Sequence, residues 1–178
     1  MRIMKRIFAF VIAAAICVLS LASCAADSVF VKYDDDTIGL HYELPTSLEY
    51  YKYGASGTYK NYRNEEGTVA VVISYFPNSV LAKNEAFGAD VTLEGYLDYI
   101  LTFNGLNEIV EVDYNDDKTR ATYELSVTDE ESELGHYQYY TLIRNEKGIY
   151  VVQMFCADGL IDTYAPQFIR WSNYIYAY

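Results

Sequence analysis

Residues 136–156 read HYQYYTLIRNEKGIYVVQMFC, two runs of apolar and tyrosine side chains on either side of a polar turn. The runs His136–Arg144 and Ile149–Cys156 are rich in the aromatic and β-branched residues that favour strands. The intervening Asn145–Gly148 has the residue types of a hairpin connection. The stretch therefore predicts two antiparallel strands joined by a short turn.

The same pattern extends upstream of this hairpin. Ile109–Tyr114 and Thr119–Val127 predict two more strands, and Thr68–Phe76 predicts a central strand that Pro77 ends. Ile38–Pro45 alternates apolar and polar residues with a period of two, which is typical of a strand with one buried face. The chain is therefore expected to contain a mainly antiparallel sheet.

Two helices are predicted beside the sheet. The first begins after Thr92, carries apolar residues at i, i+3, i+4 and i+7 from Leu93 onward, and ends before Gly105. The second runs from about Asp162 to Tyr174. Together with the strands they predict the α+β class, as a single domain over residues 37–178 in which helices flank a central antiparallel sheet.

The N-terminus has the layout of a signal peptide. Arg2, Lys5 and Arg6 precede the uncharged run 7–22, which is shorter than the ~20 residues that span a bilayer as a helix. The run ends in Leu21-Ala22-Ser23-Cys24, which resembles the bacterial lipobox. That resemblance implies cleavage before Cys24 and attachment of lipid to its thiol.

This interpretation divides the chain into three parts. Residues 1–23 are a signal peptide with a cleaved signal helix, residues 24–36 are a lipidated cysteine and an acidic linker, and residues 37–178 are the domain. The domain is expected on the extracytoplasmic face of the cell membrane, held there by lipid on Cys24. The alternatives are an ordinary signal peptide and an uncleaved anchor, since small residues precede the cleavage site in ordinary signal peptides as well as in those of lipoproteins.

The charge of the chain limits its partners. Residues 1–23 contain three of the 13 Lys and Arg and none of the 25 Asp and Glu, so the remainder has 10 basic against 25 acidic side chains, a net charge of −15. Such a surface repels phosphate backbones, which excludes nucleic acid as a partner. Basic protein surfaces and cations remain plausible partners.

The side chains that catalysis would need are few. His41 and His136 are the two histidines, and they lack the spacing of a zinc site. Cys156 lies in an apolar run, which favours a buried and inert thiol over a nucleophile paired with His136. The sequence therefore predicts no enzyme and no cofactor.

Twenty tyrosines are the unusual feature of the composition. Tyrosine favours strands, where its ring covers a sheet face and its hydroxyl reaches a polar partner, so packing alone explains many of them. The alternative is an aromatic platform that stacks on glycans or peptides. Tyr137, Tyr139 and Tyr140 are the candidates for such ligand stacking.

One acidic segment has oxygen ligands at the spacing of a calcium loop. Asp113, Asn115, Asp117 and Glu124 match positions 1, 3, 5 and 12 of an EF-hand, but Lys118 occupies the position that requires glycine. Strand patterns rather than helices flank the segment. We therefore expect a hairpin turn here, with the first three residues as weak calcium candidates and no metal site otherwise.

The order of elements resembles that of the PsbP/Mog1-type fold over about residues 37–178. The resemblance is carried by GLHYELP at 39–45, the mid-chain helix, GIYVV at 148–152 and FIRW at 168–171. It implies a sheet with helices on both sides and a role in binding or assembly. PsbP is an extrinsic subunit of the photosystem oxygen-evolving complex, and Mog1 binds a small GTPase.

Two functions are expected from these observations. The first is a non-catalytic binding, assembly or accessory module that acts on another protein of the cell envelope. The alternative is a tyrosine-rich surface module that captures glycans or peptides.

Overall fold

The computed structural model describes residues 29–52, 58–87, 90–128 and 135–178. Over these residues the strands are β1 (Phe30–Asp35), β2 (Leu40–Pro45), β3 (Glu49–Tyr50), β4 (Tyr59–Arg63), β5 (Val69–Pro77), β6 (Asp113–Tyr114), β7 (Arg120–Thr128), β8 (Gly135–Arg144), β9 (Gly148–Ala157) and β10 (Tyr176–Ala177). The helices are α1 (Asn78–Leu81), α2 (Leu93–Phe103) and α3 (Ile161–Ser172), the last preceded by a 3-10 turn at Asp158–Leu160.

The large sheet has the strand order β3-β4-β5-β9-β8-β7-β6, and each neighbouring pair is antiparallel. Its centre contains the predicted hairpin as β8 and β9. Gly148 begins β9 where the backbone of β5 comes close, because a Cβ there would lie 2.3 Å from Phe76 O. Only glycine fits this approach without moving a strand.

The small sheet has the order β1-β2-β10 and contains both ends of the domain. Its first strand corrects the predicted boundary, because Phe30–Asp35 lies in the segment expected to be linker and instead pairs with β2 along its whole length. Tyr33 stacks on Tyr42 of β2, with ring centroids 5.0 Å apart. The aspartates at 34–36 suggested a solvated linker, whereas the alternating Val31 and Tyr33 form a strand.

The two faces of the large sheet bury separate cores. On one face, α3 and the small sheet cover a cluster that includes Val152, Met154, Phe168 and Trp171. On the other face, α2 covers a cluster that includes Leu97, Leu142 and Ile149. We call these the α3 face and the α2 face. The arrangement confirms the predicted single α+β domain with helices on both sides of an antiparallel sheet.

The caps of α2 match the expectation. Thr92 Oγ1 accepts a hydrogen bond from Gly95 N at 3.0 Å, and Gly105 adopts φ +68° just beyond the helix. The predicted strand at 109–114 is shorter than expected. Ile109 N and Val110 N both donate to Leu106 O in a turn, which leaves Asp113–Tyr114 as the strand.

Candidate functional site

Strand β7 forms the outer edge of the large sheet for most of its length. The two residues of β6 pair with only the first part of β7, and no other described strand lies beside the rest. Arg120 O accepts a hydrogen bond from Asn115 N on the β6 side, and backbone groups alternate in direction along a strand. The N–H and C=O groups of Glu124 and Ser126 therefore point toward the open edge.

A groove of about 460 Å³ lies beside this edge on the α3 face. The turn before β6, β6 itself, β7, β8 and α3 all contribute to it. We call it the β7 groove, and its lining residues are Ile109, Glu111, Asp113, Thr122, Tyr123, Glu124, Tyr139 and Ile169.

Three carboxylates give the β7 groove a negative field. Glu111, Asp113 and Glu124 are all exposed. Tyr137 OH donates a hydrogen bond to Glu124 Oε2, and burial followed by this bond raises the pKa of Tyr137 well above its usual value. The neutral phenol therefore fixes the Glu124 carboxylate in place, and the groove favours a cationic ligand group.

Aliphatic side chains border these carboxylates. Ile109 is 72% exposed and Ile169 is 50% exposed, although isoleucine is among the residues most often buried. The half-buried Tyr139 also lines the groove. Apolar side chains beside charged ones are common where a protein surface contacts a partner.

A second cavity, of about 260 Å³, lies on the α2 face beside the same strand. We call it the α2 cavity, and its lining residues are Tyr96, Leu97, Ile100, Asn104, Leu106, Tyr123, Leu125, Tyr140, Leu142 and Val151. Tyr123 and Tyr140 stack within it, with ring centroids 4.4 Å apart. The edge of β7 thus has an acidic groove on one face of the sheet and a largely apolar cavity on the other.

The three tyrosines predicted to stack on ligands are not brought together on one surface. Tyr137 is 5% exposed and its ring lies parallel to that of Phe168, at 6.3 Å between centroids. Tyr139 lines the β7 groove, whereas Tyr140 faces the α2 cavity. Ligand stacking by these rings stays a prediction, and Tyr139 is the one of the three that borders the groove.

The weak calcium candidates are separated by their hydrogen bonds. Asn115 Nδ2 donates to Asp117 Oδ1 at 2.7 Å, and Thr119 N and Oγ1 donate to the same oxygen, so these side chains hold the β6–β7 turn. Lys118 has φ +55° in this turn. Asp113 instead lines the β7 groove. Among the described residues, no group of three His, Cys, Asp or Glu side chains is close enough to hold a metal ion.

The histidines and the cysteine lie apart. His41 is 7% exposed in the small sheet, where its Nδ1 lies 2.5 Å from Asp34 Oδ1. His136 faces the α2 side of the large sheet, whereas Cys156 is fully buried in the α3-face core. Burial raises the pKa of the Cys156 thiol to about 11. The sheet therefore separates the only cysteine–imidazole pair that the sequence offered as nucleophile and base.

His136 belongs to a further pocket of about 380 Å³, which Gly67, Thr68, His136, Gln138, Gln153, Phe155 and Ala157 line. Gln138 Oε1 accepts hydrogen bonds from Tyr140 OH and Gln153 Nε2, and Gln138 Nε2 lies 2.6 Å from His136 Nε2. The amide oxygen of Gln138 thus accepts two hydrogen bonds, and its nitrogen has His136 as a neighbour. This network satisfies a polar strip of the sheet.

Sequence reasoning named Asp113, Glu124 and Tyr139, although for other roles, and missed Ile109, Glu111 and Ile169 as parts of one site. Ile169 was detectable in principle, because it lies beside the buried Phe168 and off the apolar face of the predicted helix. Its position next to β7 depends on how α3 packs, which no local pattern encodes.

Comparison with known proteins shows the fold of the chain. No family model and no curated protein matches the sequence. Among solved structures, the Ran-binding protein Mog1p of Saccharomyces cerevisiae is similar with a TM-score of 0.56 and 10% identity, over 84% of this chain and 95% of that one. Cyanobacterial PsbP (CyanoP) from Synechocystis is similar with a TM-score of 0.52 and 15% identity, over 86% and 94%.

A crystal structure from Bacteroides thetaiotaomicron is also similar, with a TM-score of 0.55 and 11% identity, and here the chain spans 48% of the other chain. The domain therefore has a PsbP/Mog1-type fold. Cys24 and the predicted signal peptide lie outside the described residues. Within the described ranges, no helix is long and apolar enough to cross a membrane.

Proposed function

We propose that this chain is a lipid-anchored, extracytoplasmic accessory protein that binds another protein of the cell envelope through the β7 groove. The observation that carries the proposal is the groove itself, in which exposed Ile109 and Ile169 border three carboxylates beside a strand edge that has no neighbour among the described strands. Apolar and charged groups of this kind form the centre and the rim of protein interfaces.

The anchor is supported by the motif Leu21–Cys24 at the end of the apolar run. Two or three acyl chains on Cys24 hold a protein stably, because each buried methylene contributes ~0.8 kcal/mol and a single chain gives only marginal binding. We expect wild-type protein to incorporate labelled palmitate and to fractionate with membranes. Loss of both properties in Cys24→Ala supports the anchor. The anchor is contradicted if the wild type incorporates no labelled palmitate and Cys24→Ala still fractionates with membranes.

A binding role rather than catalysis is supported by the fold and by the charge. One structural neighbour is a Ran-binding protein, so this fold can present a protein-binding surface. That likeness concerns the fold and assigns no contact residue here. The net charge of −15 beyond residue 23 favours partners with basic surfaces.

Capture of glycans by a tyrosine platform has less support. Many of the rings are packed, with Tyr42, Tyr62, Tyr96, Tyr123, Tyr137 and Tyr150 all buried. Their hydroxyls serve internal bonds, such as Tyr42 OH to Tyr62 OH at 2.7 Å and Tyr150 OH to Ile38 O at 2.6 Å. The tyrosines therefore serve mainly as core residues with polar ends.

The binding role is tested by site-specific photocrosslinking in cells. A photoreactive phenylalanine analogue replaces Ile169 in the β7 groove, and in a matched control it replaces Val80 on α1, which is equally exposed at 52%. Val80 lies beside β5, on the other side of β9 and β8 from β7. Both variants keep Cys24, and adducts are identified by mass spectrometry.

We expect one recurrent envelope protein to be attached at position 169 and not at position 80. Loss of that adduct in the Cys24→Ala background would tie the interaction to the membrane location. Equal labelling at both positions, or no adduct at position 169, contradicts the proposed groove.

A further inference from the structure

We infer that the open edge of β7 is completed by an extended segment of the partner protein, in which cationic and apolar side chains alternate. This inference rests on the proposed binding function and adds the chemistry of the partner. The recognition mode is strand addition, in which main-chain hydrogen bonds give affinity and alternate side chains give specificity.

The backbone of β7 provides the first requirement. The N–H and C=O groups of Glu124 and Ser126 point away from β8, and no described strand lies opposite them. Both residues are exposed. An unpaired edge of this kind is a template for another strand, which would lie ~4.8 Å away.

The two cavities provide the second requirement. In an added antiparallel strand, residues opposite Glu124 and Ser126 have their side chains on the α3 face, beside the β7 groove. Residues between them have their side chains on the α2 face, beside the half-buried Leu125 and Val127 and the α2 cavity. The sheet therefore presents different surroundings to odd and even positions of the partner segment.

Charge and polarity then specify the side chains. The carboxylates of Glu111, Asp113 and Glu124 favour Lys or Arg at the α3-facing positions. Exposed Ile109 and Ile169 can cover the aliphatic stems of these long side chains. The α2-facing positions favour Val, Leu or Ile, because Leu125 and Leu106 line that cavity.

The inference is tested with synthetic peptides and the full-length protein in detergent. The probe is a peptide of alternating Lys and Val, about seven residues long, which spans the ~20 Å of a short strand. Its controls are a peptide of the same composition with the Lys and Val in separate blocks, and an alternating Glu and Val peptide. Binding is measured by fluorescence anisotropy at two salt concentrations.

Backbone methylation gives the sharpest readout. Residues whose N–H groups face Glu124 and Ser126 are the ones with side chains on the α3 face, so the Lys nitrogens donate to β7. Methylation of two Lys nitrogens is expected to weaken binding by about tenfold, from the loss of two backbone hydrogen bonds. The N–H groups of the Val residues point away from β7 into solvent. Methylation of two Val nitrogens is therefore expected to change the affinity by less than about twofold.

Variants of the protein test the same geometry. The double substitution Glu111→Gln with Asp113→Asn is expected to weaken binding of the Lys–Val peptide and to reduce the salt dependence of that binding. Glu65→Gln with Glu66→Gln removes the same charge from the exposed β4–β5 turn and is the matched control. Far-UV circular dichroism verifies that each variant is folded.

The outcomes separate the inference from the function on which it rests. Discrimination between methyl-Lys and methyl-Val peptides supports strand addition. Equal binding of the block peptide, or equal effects of the two methylations, overturns it even if a partner is crosslinked at position 169. Absence of both peptide binding and the crosslinked partner overturns the inference and the proposed function together.

Discussion

Strands β9 and β7 belong to the same sheet but differ in how their backbones are satisfied. β9 pairs with β5 from Gly148 to Cys156 on one side and with β8 on the other. β7 pairs with β8 throughout, but on its other side the described part of the chain provides only β6, at the first residues of β7. The backbone hydrogen bonds of the sheet are therefore complete at its centre, whereas the edge of β7 has groups that could pair with a further strand.

The largest contrast is expected from proline in the two strands. Val152→Pro removes a donor from a strand with neighbours on both sides, and we expect no folded protein. In Ser126→Pro the lost N–H points to the open edge, so the variant should fold, with a much smaller loss of stability than Val152→Pro. Circular dichroism and urea unfolding measure both. Similar instability of the two variants would show that the β7 edge is paired after all.

Helix α3 allows a second comparison between the core and the groove. Trp171 is 1% exposed and Ile169 is 50% exposed, two residues apart on one helix. Trp171→Ala should lower the free energy of unfolding by about 3–5 kcal/mol through the cavity that it leaves. Ile169→Ala should change it by less than about 0.5 kcal/mol, as surface substitutions do. A large loss in Ile169→Ala would indicate that this side chain serves the fold rather than a partner.

Arg120 distinguishes the anchored start of β7 from its open remainder. Its guanidinium donates to Ser172 O at 2.6 Å and to Ile175 O at 2.9 Å, and so satisfies one carbonyl group at the end of α3 and one in the segment that follows it. Arg120→Met leaves these groups without a charged donor, and we expect a loss of about 1.5–3 kcal/mol in urea unfolding.

The control for Arg120 is Lys118, whose ion pair with Glu94 at 2.6 Å is largely exposed. Lys118→Met should leave the melting temperature unchanged, because water screens exposed pairs. If both variants melt alike, the hydrogen bonds of Arg120 contribute little.

The last comparison concerns the reactivity of a thiol in β9 and of a thiol in β7, and it involves the smallest expected change in stability. Cys156 in β9 is fully buried, and burial raises its pKa to about 11, so it should not react with a thiol reagent at pH 8 in the folded protein. The raised pKa stabilises the fold below the ordinary thiol value, and this stabilisation is lost as the pH rises toward about 11. A cysteine introduced as Ser126→Cys should react within minutes. Rapid labelling of Cys156 without denaturant would contradict the tight packing of β9.

Local patterns were sufficient for the elements whose neighbours are close in sequence. The turn at 145–148 defined β8 and β9, and Thr92 with Gly105 defined α2. Strand β1 was missed because its short alternation precedes three aspartates, which are typical of a linker. This segment is a strand because it pairs with β2, and the sequence of one strand does not identify the strand with which it pairs.

The candidate site was less predictable than the fold. Asp113 and Tyr139 were singled out by their side-chain types, but for calcium and for stacking rather than for a shared groove. Their proximity arises from the β6–β7 pairing and the β7–β8 register, and the packing of α3 brings Ile169 to the same groove from more than 40 residues further along the chain. Such contacts depend on the tertiary structure and produce no periodic pattern in the sequence.

The small sheet imposes an order on biosynthesis. β10 pairs with His41 and Leu40 of β2, and Tyr178 N donates to Gly39 O, so residues more than 130 positions apart lie side by side. This sheet can form completely only after residue 177 has left the ribosome, and contacts between residues so distant in sequence form slowly. A nascent chain therefore lacks its closing strand during most of synthesis, so the small sheet is the last part of the described domain that can be completed.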